Sequence, residues 1–154
     1  VHIKGLWVLR NPAQISRLYG AIGGHHDTCI NPNPEGDMIS SLQIAAEHLW
    51  WDEFRYVLVW PVDFPRVTPE TLRALLDAVP PAGSPEEVDW IAPVYEGRKG
   101  HPFLLHRRFV ALSANWRGEC GLRQLDRRLT PRVTRITVDY PGIHRNMNRP
   151  EDRI

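Results

Sequence analysis

The stretch that most constrains this chain is YVLVWPVDFPRVTPETL, Tyr56 to Leu72. A nearly continuous apolar run from Arg55 to Trp60 is what a strand covered on both faces requires. Pro61 stops it, since proline has no N–H to give a ladder. Thr68-Pro69-Glu70-Thr71 then opens a helix. Thr68 can cap it, Pro69 can take the first helical position, and Glu70 or Thr71 can meet the free amides, so a helix is expected to about Val79. A buried strand that feeds a capped helix is a βα unit, and such units need a sheet with helices packed against it. Between strand and helix one acid, Asp63, stands in Pro61-Val62-Asp63-Phe64-Pro65. The prolines on either side restrict where its carboxylate points.

The rest of the chain repeats the alternation. Ile3 to Leu9 reads as a strand and Ala13 to Tyr19 as a helix, followed by a short strand over Thr28 to Asn31. Asn31 to Asp37, NPNPEGD, is dense in turn formers and reads as a loop. Leu42, Ala45, Ala46 and Leu49 recur at helical spacing within Ile39 to Trp50, with Ser40 or Ser41 as a cap candidate. Trp90 to Tyr95 is the next strand, EGRKGHP a sharp loop, and FLLHRRF a strand turning into a helix. Gly121 to Leu129 reads as helix, Arg132 to Val138 as strand, and RPEDRI as the start of a last helix. Strands alternating with helices predict a mainly parallel sheet and a single three-layer α/β/α domain over residues 1–154.

Composition excludes several classes. The chain has 154 residues, with 24% charged and 42% apolar, the balance of a folded globular domain. Its formal net charge is +1, too even to predict a nucleic-acid partner. No apolar run approaches the roughly 18 residues of a membrane span, and no signal-peptide pattern is present, so a cytoplasmic protein without a membrane partner is expected. Cys29 and Cys120 are far apart and are read as buried thiols.

Ligands of an open parallel sheet sit beyond the carboxyl ends of its strands. Asp63 is three residues past such an end. It can cap a turn, or it can hold Mg²⁺, which takes one or two protein carboxylates and fills its other positions with phosphate and water. Three further loops are candidates to converge on it. NPEGDMISSL runs a glycine-containing loop into a helix whose amides could receive an anion, or is simply a capped helix. YEGRKGHPFLL carries Arg98, Lys99 and His101 past Gly97 and Gly100, and reads equally as a hairpin with a solvated basic tip. DYPGIHRNMNRPED offers the amide oxygens of Asn146 and Asn148 after a strand, or caps a helix before Pro150.

In order and spacing these pieces resemble the MobA-like NTP transferase family, the molybdenum cofactor guanylyl- and cytidylyltransferases and their relatives. The blocks are Asn31 to Leu42 (similar to NPxxxxGMxxSL), Pro61 to Leu72 (PxDxPxVTPETL), Ala92 to Leu105 (APVYxGxxGHPxLL), Gly118 to Leu125 (GDxGxRxLL) and Asn146 to Asp152 (DxDTPED). The resemblance implies a Rossmann-like nucleotidyltransferase fold. It implies attack by a phosphorylated acceptor such as molybdopterin on the α-phosphorus of an NTP, CTP or GTP, with release of pyrophosphate. Asp63 falls on the family's Mg²⁺-binding aspartate and is the catalytic candidate, with Asn146 and Asn148 as further metal ligands. Asn31, Gly36, Ser40, Ser41, Gly97, Gly100, His101 and Pro102 are the implied substrate-binding residues.

Besides the milder Glu119 in place of an aspartate, the sequence departs from the family at two places. Its glycine-rich loop of the type LAAGxSxRMGxxK has no counterpart here, and Gly23-Gly24 reads as a turn that precedes a strand. The expectation is a fold lacking its first βα unit, completed by a missing N-terminal segment or a partner chain because an uncovered strand edge is a liability. The alternative is a catalytically silent nucleotide- or cofactor-binding module. Asn146 and Asn148 also replace two aspartates, which keeps the oxygen donors but removes their charge.

Overall fold

The computed structural model describes residues 5–22, 27–33, 37–48, 54–116 and 121–153. The expected turn at Gly23-Gly24, the N-terminal residues of the first strand, the last turn of the Ile39 to Trp50 helix and Cys120 lie outside them. The chain forms two compact units, Val1–Glu53 with Val110–Thr130, and Phe54–Phe109 with Pro131–Ile154.

In the first unit β1 (Leu6–Leu9) pairs in parallel with β2 (Asp27–Ile30), and α1 (Ala13–Ile22) connects them. The helix α2 (Met38–His48) packs on both strands through buried Ile39, Leu42 and Ala46. Cys29 is buried on β2 as a free thiol, as the sequence suggests, and burial pushes its pKa up. Asp37 precedes α2 directly: its carboxylate accepts from the Met38 amide at 2.6 Å and its carbonyl from the Ser40 amide at 2.9 Å. Ser40 and Ser41 lie inside the helix instead of capping it. The unit also contains the end of α4 (Arg107–Ala114) and α5 (Leu122–Leu129). Gln43 of α2 donates to the carbonyls of Ser113 and Trp116 at 3.1 and 2.8 Å.

The second unit holds β3 (Tyr56–Val59), α3 (Pro69–Asp77), β4 (Trp90–Tyr95), β5 (Arg98–Lys99), β6 (Phe103–His106) and β7 (Val133–Thr137). The sheet order is β3-β6-β4-β5, with β7 on β4. The chain is α/β, as expected, but the mainly parallel sheet needs amending. β6 runs antiparallel to both β3 and β4, whereas β4 and β7 are parallel. The β4–β5 hairpin is the reason, since it turns the chain back before β6 begins. β3, β4 and β7 still point the same way, so the loops at their carboxyl ends share one end of the sheet. β3 is not covered on both faces: Leu58 is 39% exposed, and Trp60 just past its end 41%.

The helix α3 starts as its sequence requires. Pro69 is in the first turn and Thr68 Oγ1 accepts from the Thr71 amide at 3.2 Å. It lays Leu75 into a core with Val88, Ile91 and Leu104, against which Tyr56, Ala78, Val79 and Ile136 pack. Trp90 meets Phe103 and Phe109 at ring-centroid distances of 4.9 and 5.9 Å. The last two pieces are 3₁₀ turns, Pro141–His144 and Pro150–Arg153. No described helix is long and apolar enough to cross a membrane.

At the start of β4 the polar residues serve stability. Arg108 pairs with Asp89, whose Oδ2 also accepts from the Arg132 amide at 2.9 Å. His106 is buried, with Nε2 at 3.7 Å from Glu87 and Nδ1 accepting from the Arg108 amide. Burial first, and then the Arg108 charge, lower its pKa below the ordinary imidazole value, against the opposing pull of Glu87. The folded chain therefore holds fewer protons than the unfolded chain between the lowered value and about 6.5. His106 contributes stability that is full above that window and is lost as pH falls through it. Denaturant melts at pH 7.5 and 5.5 should show a smaller gap between wild type and His106→Gln at the lower pH. An unchanged gap would mean that the ring does not titrate against folding.

Candidate active site at the carboxyl ends of β3, β4 and β7

Each of these strands ends in a loop whose path is fixed by its own residues. After β3 the chain turns sharply, with the Phe64 amide bonded to the Pro61 carbonyl at 3.0 Å and the Trp60 indole donating to the Phe64 carbonyl at 2.8 Å. This turn lifts Asp63 to the end of the sheet. After β4, Glu96 and Gly97 make the hairpin tip with φ of 49° and 76°. Two successive positive values define the turn that matches the strand twist, and glycine adopts them without strain. Arg98 and Lys99 are exposed on β5, with Lys99 Nζ 4.4 Å from the Trp90 ring centroid. After β7 the chain folds into the Pro141–His144 turn and then extends through Asn146 to Asn148.

These loops meet. The Met147 amide donates to the Asp63 carbonyl at 2.7 Å, which sets Asp63 against the segment carrying Asn146 and Asn148. The ring of Phe64, next to Asp63, lies 4.4 Å from His101, and His101 lies 5.2 Å from Phe103. The Gly100 amide donates to the Pro93 carbonyl and the His101 amide to the Ile143 carbonyl, both at 2.9 Å. His144 Nε2 is 3.0 Å from the Arg98 carbonyl, the geometry of a ring N–H donating to it. Pro102 follows His101 through a cis peptide bond. Asp63, Gly97, Gly100, His101, Pro102, Asn146 and Asn148 thus belong to one cluster of three loops.

Gly100 is required by close approach. A Cβ there would lie 2.6 Å from Ile143 Cδ1 and 2.7 Å from the Ile143 carbonyl oxygen. That oxygen is fixed by the His101 amide, so it cannot retreat freely. Gly100→Ala is expected to cost about 1–3 kcal/mol by overpacking, read as a lower denaturation midpoint. A midpoint within error of wild type would show that the two loops are not locked together.

The other candidates lie in the first unit. Asn31 is 5% exposed. Its Nδ2 donates to Ser40 Oγ and Ser41 Oγ at 2.9 and 3.0 Å, and its Oδ1 accepts from the Asn33 amide at 2.9 Å. Ser40 Oγ also donates to the Asp37 carbonyl at 2.8 Å. The Asn31 amide is therefore spent within the protein, and so are the α2 amides of Met38 and Ser40, which Asp37 already occupies. This corrects the expectation that these amides are open to an anion. An open cleft of about 440 Å³ lies beside them, walled by residues that include Asn33, Gln43, Glu47 and Asn115. Gly36 lies outside the described residues.

Most of the chain matches a known domain. The family described as the MobA-like NTP transferase domain matches the chain over residues 1–133. The chain belongs to that family. The match includes the N-terminal stretch that the sequence blocks leave out and stops before Asn146. Similar solved structures cover nearly all of this MobA-like chain. Rv0371c from Mycobacterium tuberculosis H37Rv, in complex with manganese, is 22% identical with a TM-score of 0.71, over 99% of this chain and 76% of that one. Molybdopterin-guanine dinucleotide biosynthesis protein A from Archaeoglobus fulgidus is 17% identical with a TM-score of 0.60, over 96% and 73%. A hypothetical transferase from Thermus thermophilus is 21% identical with a TM-score of 0.58, over 96% and 78%. At such identities they establish the fold, Rossmann-like and shared with nucleotidyltransferases. None of the curated proteins matches the chain significantly.

Sequence reasoning missed the basic residues near the Asp63 loop. Arg66, His144 and Arg145, with Asn146, Met147 and Asp152, line an open cleft of about 380 Å³. The signal was present but weak, as one basic residue at a variable position inside the Pro61 to Leu72 block and two just ahead of Asn146.

Proposed function

We propose that the chain is a Mg²⁺-dependent nucleotidyltransferase that moves the nucleotidyl group of CTP or GTP onto a phosphorylated acceptor such as molybdopterin. In the reaction an acceptor phosphate oxygen bonds to the α-phosphorus. The bond from that phosphorus to the oxygen bridging to the β-phosphate breaks, and its electron pair leaves with pyrophosphate. The observation that supports the reading is the 2.7 Å bond from the Met147 amide to the Asp63 carbonyl, which joins the backbone of the loop carrying Asp63 to the segment carrying Asn146 and Asn148.

The donor set suits a hard divalent cation. Asp63 offers carboxylate oxygens and Asn146 and Asn148 amide oxygens, whereas the described residues contain no group of three or more His, Cys, Asp and Glu that would close a cage around an ion. An ion so held leaves positions for phosphate oxygens, as Mg²⁺ prefers. When bound, it would neutralise charge building on the phosphates during transfer. The protein's own task is then positioning. Gly97, Gly100, His101 and Pro102 shape the wall beside Asp63. Asn31 acts through Ser40 and Ser41, whose hydroxyls its side chain holds at the start of α2.

Calorimetric titration of CTP and GTP, each with and without Mg²⁺, tests the reading. Saturable binding of at least one nucleotide that requires the metal is expected. Binding of neither, or equal binding without metal, would reject it.

A further inference from the structure

The cleft beside the Asp63 loop is lined by Arg66, His144 and Arg145, basic side chains that the proposed metal corner does not use, and by Asn146, which it does. Arg66 follows Asp63 by three positions in the same loop, and its Nη2 donates to the Asp152 carbonyl at 3.4 Å. Arg145 is exposed and immediately precedes Asn146. His144 is oriented by the Arg98 carbonyl, which engages Nε2 and leaves Nδ1 as the ring's other polar atom. The acidic wall residue, Asp152, already receives the Arg149 amide at 2.8 Å. Met147, part of the same wall, is bonded to the Asp63 carbonyl, so anything held here lies next to the proposed metal corner. Two guanidinium groups around an open cleft of about 380 Å³ match the planar, bidentate recognition of a phosphoryl group.

We propose that this cleft is a phosphoryl-binding subsite, in which Arg66 and Arg145, assisted by His144, hold a dianionic phosphate beside Asp63. Which substrate supplies that phosphate rests on the transfer reading above: it is the acceptor's nucleophilic phosphate or the phosphates that leave with the nucleotide's pyrophosphate.

NMR titration of inorganic phosphate into the whole chain without metal tests the subsite. Saturable shifts of the His144 ring and Arg145 side-chain signals are expected, with Arg66→Gln and Arg145→Gln each weakening phosphate roughly tenfold or more. If Arg66→Gln fails to fold, Arg145→Gln carries the test, because that side chain is exposed. No saturable shift, or an affinity unchanged in the folded variants, would overturn the subsite. Phosphate displaced by CTP or GTP with Mg²⁺ assigns the cleft to the nucleotide; phosphate retained beside bound nucleotide assigns it to the acceptor. The two readings fail separately. Loss of metal-dependent nucleotide binding with phosphate binding intact sinks the transfer reading alone, and the reverse sinks the subsite alone.

Discussion

Asp63→Ala is expected to weaken Mg²⁺-dependent nucleotide binding roughly a hundredfold or more, equivalent to about 3 kcal/mol, while leaving the denaturation midpoint within about 0.5 kcal/mol of wild type. The separation follows from where Asp63 makes its contacts. Its structural bond is through the backbone carbonyl to the Met147 amide, which alanine retains. Its carboxylate is the only negative ligand in the proposed set, because asparagines stand where the family pattern has aspartates. The usual sharing of the ion between carboxylates is absent, so this side chain should matter more here than in a relative with three. Calorimetry and a urea melt on the same preparation check both halves. A large loss of stability together with binding would mean that Asp63 serves the turn after β3 and not a metal.

Leu75→Ala should cost about 2–5 kcal/mol, because a large side chain is removed from a site that cannot collapse around it. Leu75 is fully buried among Val88, Ile91 and Leu104, and these belong to a helix, a connection and two strands. The elements are held apart by the β4–β6 ladder and by the capped start of α3. A chain of this size has only about 5–15 kcal/mol to lose, so the variant should melt far earlier. A loss below about 1 kcal/mol would show that the space refills and that the core is not packed as described.

How much of this was legible in the sequence varied with the kind of signal. The βα unit at its centre was readable because each part carries its own local cause. Pro61 ends the strand, Thr68 caps the helix, and the apolar residues of α3 recur on one face. The strand-to-helix passage at Phe103 to Phe109 and the final strand were readable for the same reason. The direction of β6 was not, since an apolar run looks the same whichever way the strand enters a sheet. Nor was the exposure of Leu58 on β3, which depends on what packs against the strand and not on its composition. Ser40 and Ser41 were misread as caps because a serine near a helix start usually is one. Here Asp37 does that work, and the hydroxyls turn to Asn31.

For the site, sequence found the residues that stand at strand ends and placed Asp63 and Asn146 to Asn148 in one neighbourhood. It did not show that the Asn31 side chain is bonded to Ser40 and Ser41 of α2 and to the Asn33 amide. It overlooked Arg66 and Arg145, because a cleft wall assembled from two distant loops has no spacing to recognise. What identified their setting was the backbone bond between those loops.

Pyrophosphate release is the measurement that bears most directly on the central claim. The chain is incubated with Mg²⁺, CTP or GTP, and molybdopterin, and released pyrophosphate is followed against an Asp63→Asn control. Nucleotidyl transfer predicts release with one of the two nucleotides that needs both metal and acceptor and disappears in the variant. Nucleotide bound with Mg²⁺ but no pyrophosphate released would contradict it and leave a silent binding module of the same fold.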